Sequence, residues 1–92
     1  MEQTLAYRQH VCVPTSSKHS RDATLLALGN AIRERRRERK LTQEELAEKA
    51  GMDRSYLGQV ERGENSVALH PLVEIAKALD TTVADLMAAA SL

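Results

Sequence analysis

Hydrogen-bonding side chains recur at helical spacing in one short stretch of the sequence. They are Ser55, Gln59 and Arg62, with Gly58 between them and with Arg54 and Tyr56 at the N-terminal edge. Residues spaced three and four positions apart share one face of a helix. Guanidinium, carboxamide and hydroxyl groups can pair with base edges in the DNA major groove, and Gly58 would allow a close approach. The stretch therefore predicts a helix whose exposed face carries side chains of types suited to base edges.

The neighbouring sequence predicts that this helix is the second of a pair. Thr42 and Glu45 have the spacing of a capping box, in which Thr42 starts a first helix and Glu45 reaches back to its backbone N–H. Gly51 stands where a left-handed residue ends that helix. Asp53 is the expected N-cap of the next helix, which stops at Gly63. Two short helices joined by a glycine-containing turn form a helix-turn-helix unit, whose second helix meets base edges in the major groove.

Helical periodicity continues on both sides of this pair and predicts an all-α fold of five helices. A first helix is expected from about Asp22 to Lys40, with apolar residues three and four apart. An apolar stripe that begins at Leu69 predicts a fourth helix, and Pro71 is compatible with it because it falls in the first turn. Thr82 resembles the cap of a fifth helix. The sequence shows no strand pattern and no internal repeat.

The composition fits one small helical domain. Ninety-two residues leave no room for a second core, and two aromatic residues in all require an aliphatic one. We assign residues 22–92 to this domain and residues 1–21, which show no sustained period, to an N-terminal arm of unknown role. The sequence lacks an apolar run of about 18 residues and a signal-peptide pattern, so we expect a cytoplasmic protein without a membrane span. The lone Cys12 excludes a disulfide scaffold.

Charge is unevenly distributed along the chain. Residues 1–62 carry twelve Lys and Arg against nine Asp and Glu, whereas residues 63–92 carry one Lys against four acidic residues. Because the total is zero, net charge alone does not identify a nucleic-acid binder. We interpret the basic run from Arg33 to Lys40 as a solvated helix face, with at most one or two side chains near a phosphate.

The sequence offers no arrangement typical of an enzyme. We find no nucleophile with an adjacent base, no paired carboxylates and no glycine-rich phosphate loop. His10, Cys12 and His19 are spaced too irregularly to define a zinc site. We therefore expect no catalytic activity, no metal, no cofactor and no small-molecule ligand.

Three segments between Leu28 and Leu86 resemble the phage-repressor-like, Xre-type helix-turn-helix family. They read LGNAIRERR, LTQEELAEKAGMDRSYLGQVERG and LVEIAKALDTTVADL. The segment DRSYLGQVERGENSVAL also resembles controller proteins of restriction–modification systems. The sequence departs from the family pattern before the fourth helix, where Ser66-Val67-Ala68 replaces the common Asn-Pro-Ser. The resemblance implies a five-helix domain that binds operator DNA, usually as a homodimer.

The resemblance also implies roles for single residues. The predicted base contacts are Arg54, Ser55, Tyr56 and Gln59, and the predicted DNA-backbone contacts are Gln43 and Arg62. Gln43 falls at the start of the second helix, where the family touches a phosphate. Two alternatives remain open, namely that Tyr56 fills the aromatic-poor core and that Gln43 serves only to start its helix.

The resemblance further implies a partly buried ion pair between Arg36 and Glu61. Periodicity supports this pairing independently, because Arg36 follows Ile32 on the inner face of the first helix and Glu61 follows Leu57 on the inner face of the third.

The last helix predicts how two copies associate. Val83, Leu86 and Met87 lie on one side of it and are followed by alanines, so we expect a dimer interface there, although Leu86 also suits the core of the protomer. The function favoured by these observations is a sequence-specific DNA-binding transcriptional regulator that acts as a homodimer. The alternative is an antitoxin-like protein-interaction module, with residues 1–21 as the partner-binding segment.

Overall fold

The computed structural model describes residues 22–92, and these residues form five α-helices and no strand. The helices are α1 (Ala23–Glu38), α2 (Gln43–Ala50), α3 (Arg54–Glu61), α4 (Leu69–Ala78) and α5 (Val83–Ala89). The predicted all-α fold class is thereby confirmed. Within the described part of the chain, no helix is both long enough and apolar enough to cross a membrane.

The polar residues at the helix ends explain where most helices begin and stop. The Oγ1 atom of Thr42 accepts from the backbone N–H of Glu45 at 3.0 Å, and the Glu45 carboxylate accepts from the N–H of Thr42 at 2.9 Å, so the capping box is confirmed. Gly51 ends α2 in the left-handed conformation, with a φ of 72°. Asp53 occupies the N-cap position of α3, but its side chain makes no cap bond. α1 ends at Glu38, two residues earlier than predicted.

The core between the helices is aliphatic, as the scarcity of aromatic residues requires. α2 packs against α3 and α4, and α1 packs against α3 and α5. Every helix contributes a fully buried apolar side chain, and Leu79 adds one at the C-terminal end of α4; the six are Ile32, Leu46, Leu57, Ile75, Leu79 and Leu86. One core therefore supports all five helices.

A glycine sets the distance between α1 and α3. A Cβ atom at Gly29 would lie 2.5 Å from the carbonyl oxygens of both Val60 and Glu61, well inside van der Waals contact. The two helix backbones therefore touch at this point, and only glycine fits between them. This contact fixes the last turn of α3 against the body of the domain.

Two arginines of the basic run, Arg35 and Arg39, hold the end of α4 in place. Arg35 donates to the backbone carbonyl of Leu79 at 3.2 Å and to that of Asp80 at 3.0 Å. Arg39 forms an ion pair with the Asp80 carboxylate at 2.8 Å. The interpretation of this run as a solvated face is wrong for Arg35, because its guanidinium caps carbonyls at a helix C-terminus.

Candidate nucleic-acid interface

The first turn of α3 presents polar side chains at the surface of the helix-turn-helix unit. Arg54 and Ser55 are both exposed there, at the end of the helix where the backbone N–H groups point outward. Gln59 lies one turn further along and is half-buried, whereas Tyr56 is half-buried and packs against the hydrophobic core. The structure thus places a guanidinium, a hydroxyl and a carboxamide along one helix, with the Tyr56 ring between surface and core.

Gly58 does not lie on this exposed surface, so the expectation that it allows a close approach to DNA is wrong. The residue is buried, and the space where a side chain would project is occupied by two neighbours. A Cβ atom there would lie 3.1 Å from Nη1 of Arg62 and 3.6 Å from Oε1 of Gln43. The absence of a side chain at position 58 therefore makes room for protein groups, not for DNA.

The structure brings Arg36 and Glu61 together in a two-point ion pair. Nε of Arg36 donates to Oε2 of Glu61 at 2.7 Å, and Nη2 donates to Oε1 at 2.9 Å. The Arg36 side chain is 12% exposed and that of Glu61 is 1% exposed, so water barely reaches the pair. Nη1 of Arg36 also donates to the carbonyl of Leu41 at 3.0 Å. One guanidinium therefore joins α1, the connection to α2, and the end of α3.

Gln43 is a third member of this cluster, which sequence reasoning missed. Its Nε2 atom donates to Oε1 of Glu61 at 2.9 Å. The side chain is half-buried and lies next to Gly58, so it helps to dock the start of α2 on α3. Its predicted role as a phosphate ligand stays a prediction, since one N–H of the carboxamide is used inside the protein.

Arg62, directly after α3, is held by the loop that follows it. Its Nε and Nη2 atoms donate to the two carboxylate oxygens of Glu64, each at 3.0 Å. The hydrogen bond to Glu64 and the Coulombic attraction between the two charges raise the pKa of Arg62, which stays fully charged. Both side chains are exposed or half-exposed, so water and a phosphate can compete for either partner.

The same loop contacts Gln59. Nδ2 of Asn65 donates to Oε1 of Gln59 at 2.8 Å. Neither Glu64 nor Asn65 was singled out from the sequence, and the available signal was only their position in the short loop after the recognition helix. The structure shows that this loop contacts two of the predicted DNA-binding residues.

The pair of helices α2 and α3 agrees with the family that the sequence matches. The family model described as helix-turn-helix matches residues 32–86, which include all of α2, α3 and α4. The chain belongs to the helix-turn-helix family.

The chain is similar to a control protein, a phage repressor and a restriction-modification controller protein. The control protein C.SmaI of Serratia marcescens is 45% identical over 60 residues, which cover 65% of this chain and 71% of that protein. The immunity repressor protein of Bacillus phage phi105 is 45% identical over 58 residues, covering 63% of this chain and 40% of that protein. The crystal structure of the restriction-modification controller protein C.AhdI from Aeromonas hydrophila superposes with a TM-score of 0.70 at 43% identity, covering 71% of this chain and 98% of that chain.

The residues predicted for a dimer interface lie on α5, the last helix. Leu86 is 2% exposed within the single protomer, because its side chain fills the core between α1 and α5. Val83 and Met87 are half-buried against that core. A dimer surface on α5 would therefore consist of the residues around Leu86 and not of Leu86 itself. Residues 1–21, including His10, Cys12 and His19, lie outside the described residues.

Proposed function

We propose that this helix-turn-helix protein is a sequence-specific transcriptional regulator that binds a pseudo-palindromic operator as a homodimer. The observation that supports this function best is the exposure of Arg54 and Ser55 on a helix whose other end is fixed. Gly29 and the buried Glu61 hold the last turn of α3, so its first turn projects as a rigid unit. A rigid helix that presents hydrogen-bonding groups is suited to the major groove.

In this proposal, α3 reads the bases. The Arg54 guanidinium lies along O6 and N7 of a guanine and makes two parallel hydrogen bonds. Gln59, one turn further along, contacts a second base and is suited to adenine. Ser55 adds a hydroxyl that accepts or donates, and the exposed part of the Tyr56 ring contacts a thymine methyl group or the backbone.

Two other side chains position the protein on the sugar–phosphate backbone. Gln43 begins α2, where the backbone N–H groups and the helix dipole also favour a phosphate. Arg62 contacts a phosphate after exchanging one charge-assisted partner, Glu64, for another. Contacts of this kind add affinity but carry no sequence information.

A dimer supplies the rest of the affinity. One recognition helix makes few base contacts, and a second copy about 34 Å away along the duplex doubles them. The proposed interface is α5, where Val83 and Met87 are half-buried and Leu92, just beyond the helix, is 53% exposed. Apolar surface of this kind on a small protein is typical of an association surface.

The experiment that tests this function begins with selection of bound duplexes from a random pool by the full chain. Affinities of Arg54→Ala, Gln59→Ala and Gln43→Ala for the selected operator and for a scrambled duplex are then measured by fluorescence anisotropy. Arg54→Ala and Gln59→Ala should each cost about 1–3 kcal/mol on the operator and relax the preference at one base pair per half-site. Gln43→Ala should weaken both duplexes by similar factors.

Arg37→Ala is the matched control, since it removes one exposed positive charge from α1 and touches no predicted contact. It should leave the base preference unchanged. If Arg54→Ala and Gln59→Ala both retain full operator affinity, α3 does not enter the groove and the proposal is wrong. Failure of the full chain to retain any duplex without another protein would favour the antitoxin-like alternative.

A further inference from the structure

Asn65 makes a directed contact with a predicted base-reading side chain. Its Nδ2 atom donates to Oε1 of Gln59 at 2.8 Å, across six residues of sequence and from the loop into the C-terminal half of α3. Asn65 is exposed and Gln59 is half-buried, so the contact lies on the surface of the domain and not in its core.

The direction of this hydrogen bond matters because a carboxamide has two different ends. Oε1 of Gln59 only accepts hydrogen bonds, whereas Nε2 only donates them. With Oε1 turned toward Asn65, the Nε2 end points away from the loop. One of the two Oε1 lone pairs is used as well, so the group offers more donor than acceptor capacity to a ligand.

We infer that Asn65 is a specificity-determining residue that fixes Gln59 with its N–H groups toward the base edges. This inference rests on the proposed function and deepens it. In the major groove, guanine presents N7 and O6 as acceptors, adenine presents N7 and thymine presents O4, whereas cytosine presents only the N4 donor. Gln59 held in this orientation selects a base with an acceptor and discriminates against cytosine.

The contact of Asn65 with Gln59 is distinct from the contact of Glu64 with Arg62 in the same loop. Glu64, one residue earlier, takes both hydrogen bonds from Arg62, so the loop uses an acceptor for the guanidinium and a donor for the carboxamide. Glu64 changes how much charge the interface presents. Asn65 changes only which atom of Gln59 faces the groove.

The decisive variant is Asn65→Asp, because a carboxylate accepts hydrogen bonds and cannot donate them. The carboxamide of Gln59 should then turn, with Nε2 bonded to the carboxylate and Oε1 facing the groove. Where the wild-type base is guanine or thymine, duplex selection with this variant should show a preference changed by roughly tenfold toward cytosine or adenine, at the base pair that Gln59→Ala identifies. Where the wild-type base is adenine, its 7-deaza analogue should weaken binding of the wild type but not of the variant. Asn65→Ala should broaden the preference at the same base pair without reversing it.

Ser66→Asp is the matched control, since it places the same negative charge on the next exposed loop residue. It should lower affinity for every duplex and keep the wild-type base. A reversal in Ser66→Asp as well would overturn the inference, because charge and not hydrogen-bond direction would then be the cause. If Asn65→Asp keeps the wild-type base and, where that base is adenine, stays as sensitive to the 7-deaza analogue as the wild type, while Gln59→Ala has its normal effect, the inference is overturned and the proposed function stands.

A measurement without DNA separates a failure of the inference about Asn65 from a failure of the proposed function. In the free protein, Asn65→Asp should shift the side-chain ¹⁵N–¹H resonances of Gln59, and Ser66→Asp should not. Absence of that shift would overturn the inference whether or not the chain binds DNA. If the shift occurs but the wild type selects no sequence, the proposed function is wrong, and the specificity role of Asn65 is wrong with it.

Discussion

Replacement of Arg36 by alanine should destabilise the domain far more than replacement of Arg37, its neighbour on α1. Arg36 supplies two of the hydrogen bonds to Glu61, at 2.7 and 2.9 Å, and one to the carbonyl of Leu41. Arg37 is exposed and lies about 100° further around the helix. The two variants therefore remove the same charge from the same helix and differ only in what that charge contacts.

The size of the effect follows from the burial of Glu61. Its side chain is 1% exposed, so without Arg36 the carboxylate would remain away from water with Gln43 as a neutral donor. Loss of one partner from a buried ion pair costs about 3–5 kcal/mol, whereas an exposed substitution such as Arg37→Ala changes stability by less than about 0.5 kcal/mol. A domain of this size has a free energy of unfolding of roughly 5–10 kcal/mol. At roughly 4–8 °C per kcal/mol, the melting temperature of Arg36→Ala should fall by about 12–40 °C.

Thermal unfolding followed by circular dichroism measures the difference directly. A double variant, Arg36→Met with Glu61→Leu, tests the reason for it. Because the double variant leaves no charge buried, it should be more stable than Arg36→Ala alone, although it has lost more hydrogen bonds. Equal melting temperatures of Arg36→Ala and Arg37→Ala would refute the reasoning. A double variant that is less stable than Arg36→Ala would show that the hydrogen bonds, and not the unpaired charge, dominate.

Three further outcomes are expected. Gly29→Ala should lower the free energy of unfolding by about 1–3 kcal/mol in chemical denaturation, because its Cβ would meet two backbone carbonyls. Gly51→Ala has open space but a φ of 72°, and it should cost about 1–2 kcal/mol. A loss below about 1 kcal/mol for Gly29→Ala would contradict the close approach of α1 and α3. Arg62→Ala should flatten the salt dependence of duplex binding by about one unit in log K against log salt, because it removes one phosphate contact, and an unchanged slope would show that Arg62 contacts no phosphate. Sedimentation at micromolar concentration should show a species of twice the 10.2 kDa chain mass, and a single species of chain mass would count against the proposed dimer.

The elements that the sequence predicted correctly depend on local interactions. The capping box of Thr42 and Glu45 and the left-handed Gly51 act within a few residues of themselves, so spacing alone identifies them. Thr82 likewise accepts from the backbone N–H of Asp85, as its position predicted. Asp53 shows the limit even of local rules, because it occupies the N-cap position without making the bond that its type favours.

The features that sequence reasoning missed depend on distances between separate elements. Arg35 and Asp80 are 45 positions apart, and nothing in the spacing of the basic run indicates that one arginine reaches a carbonyl of the α4 terminus. Periodicity assigned Gly58 to an outer face because it treats every side of a helix except the core stripe as solvent. In the folded domain, side chains from α2 and from the residue after α3 cover that position. A helix face can thus be buried by polar neighbours as well as by the core.

The residues of α3 that stabilise the fold lie at one end of the helix, and the residues proposed to contact DNA begin at the other end. The C-terminal turn carries the contacts that hold the helix, through the close approach of Gly29 to Val60 and the buried carboxylate of Glu61. The N-terminal turn carries Arg54 and Ser55, which are exposed and add little to the core. Exposed substitutions usually change stability by less than about 0.5 kcal/mol, whereas one base contact is worth about 1–3 kcal/mol of discrimination. In the proposed function, changes at Arg54 and Ser55 can therefore alter the operator at little cost to the fold, but changes at Glu61 cannot.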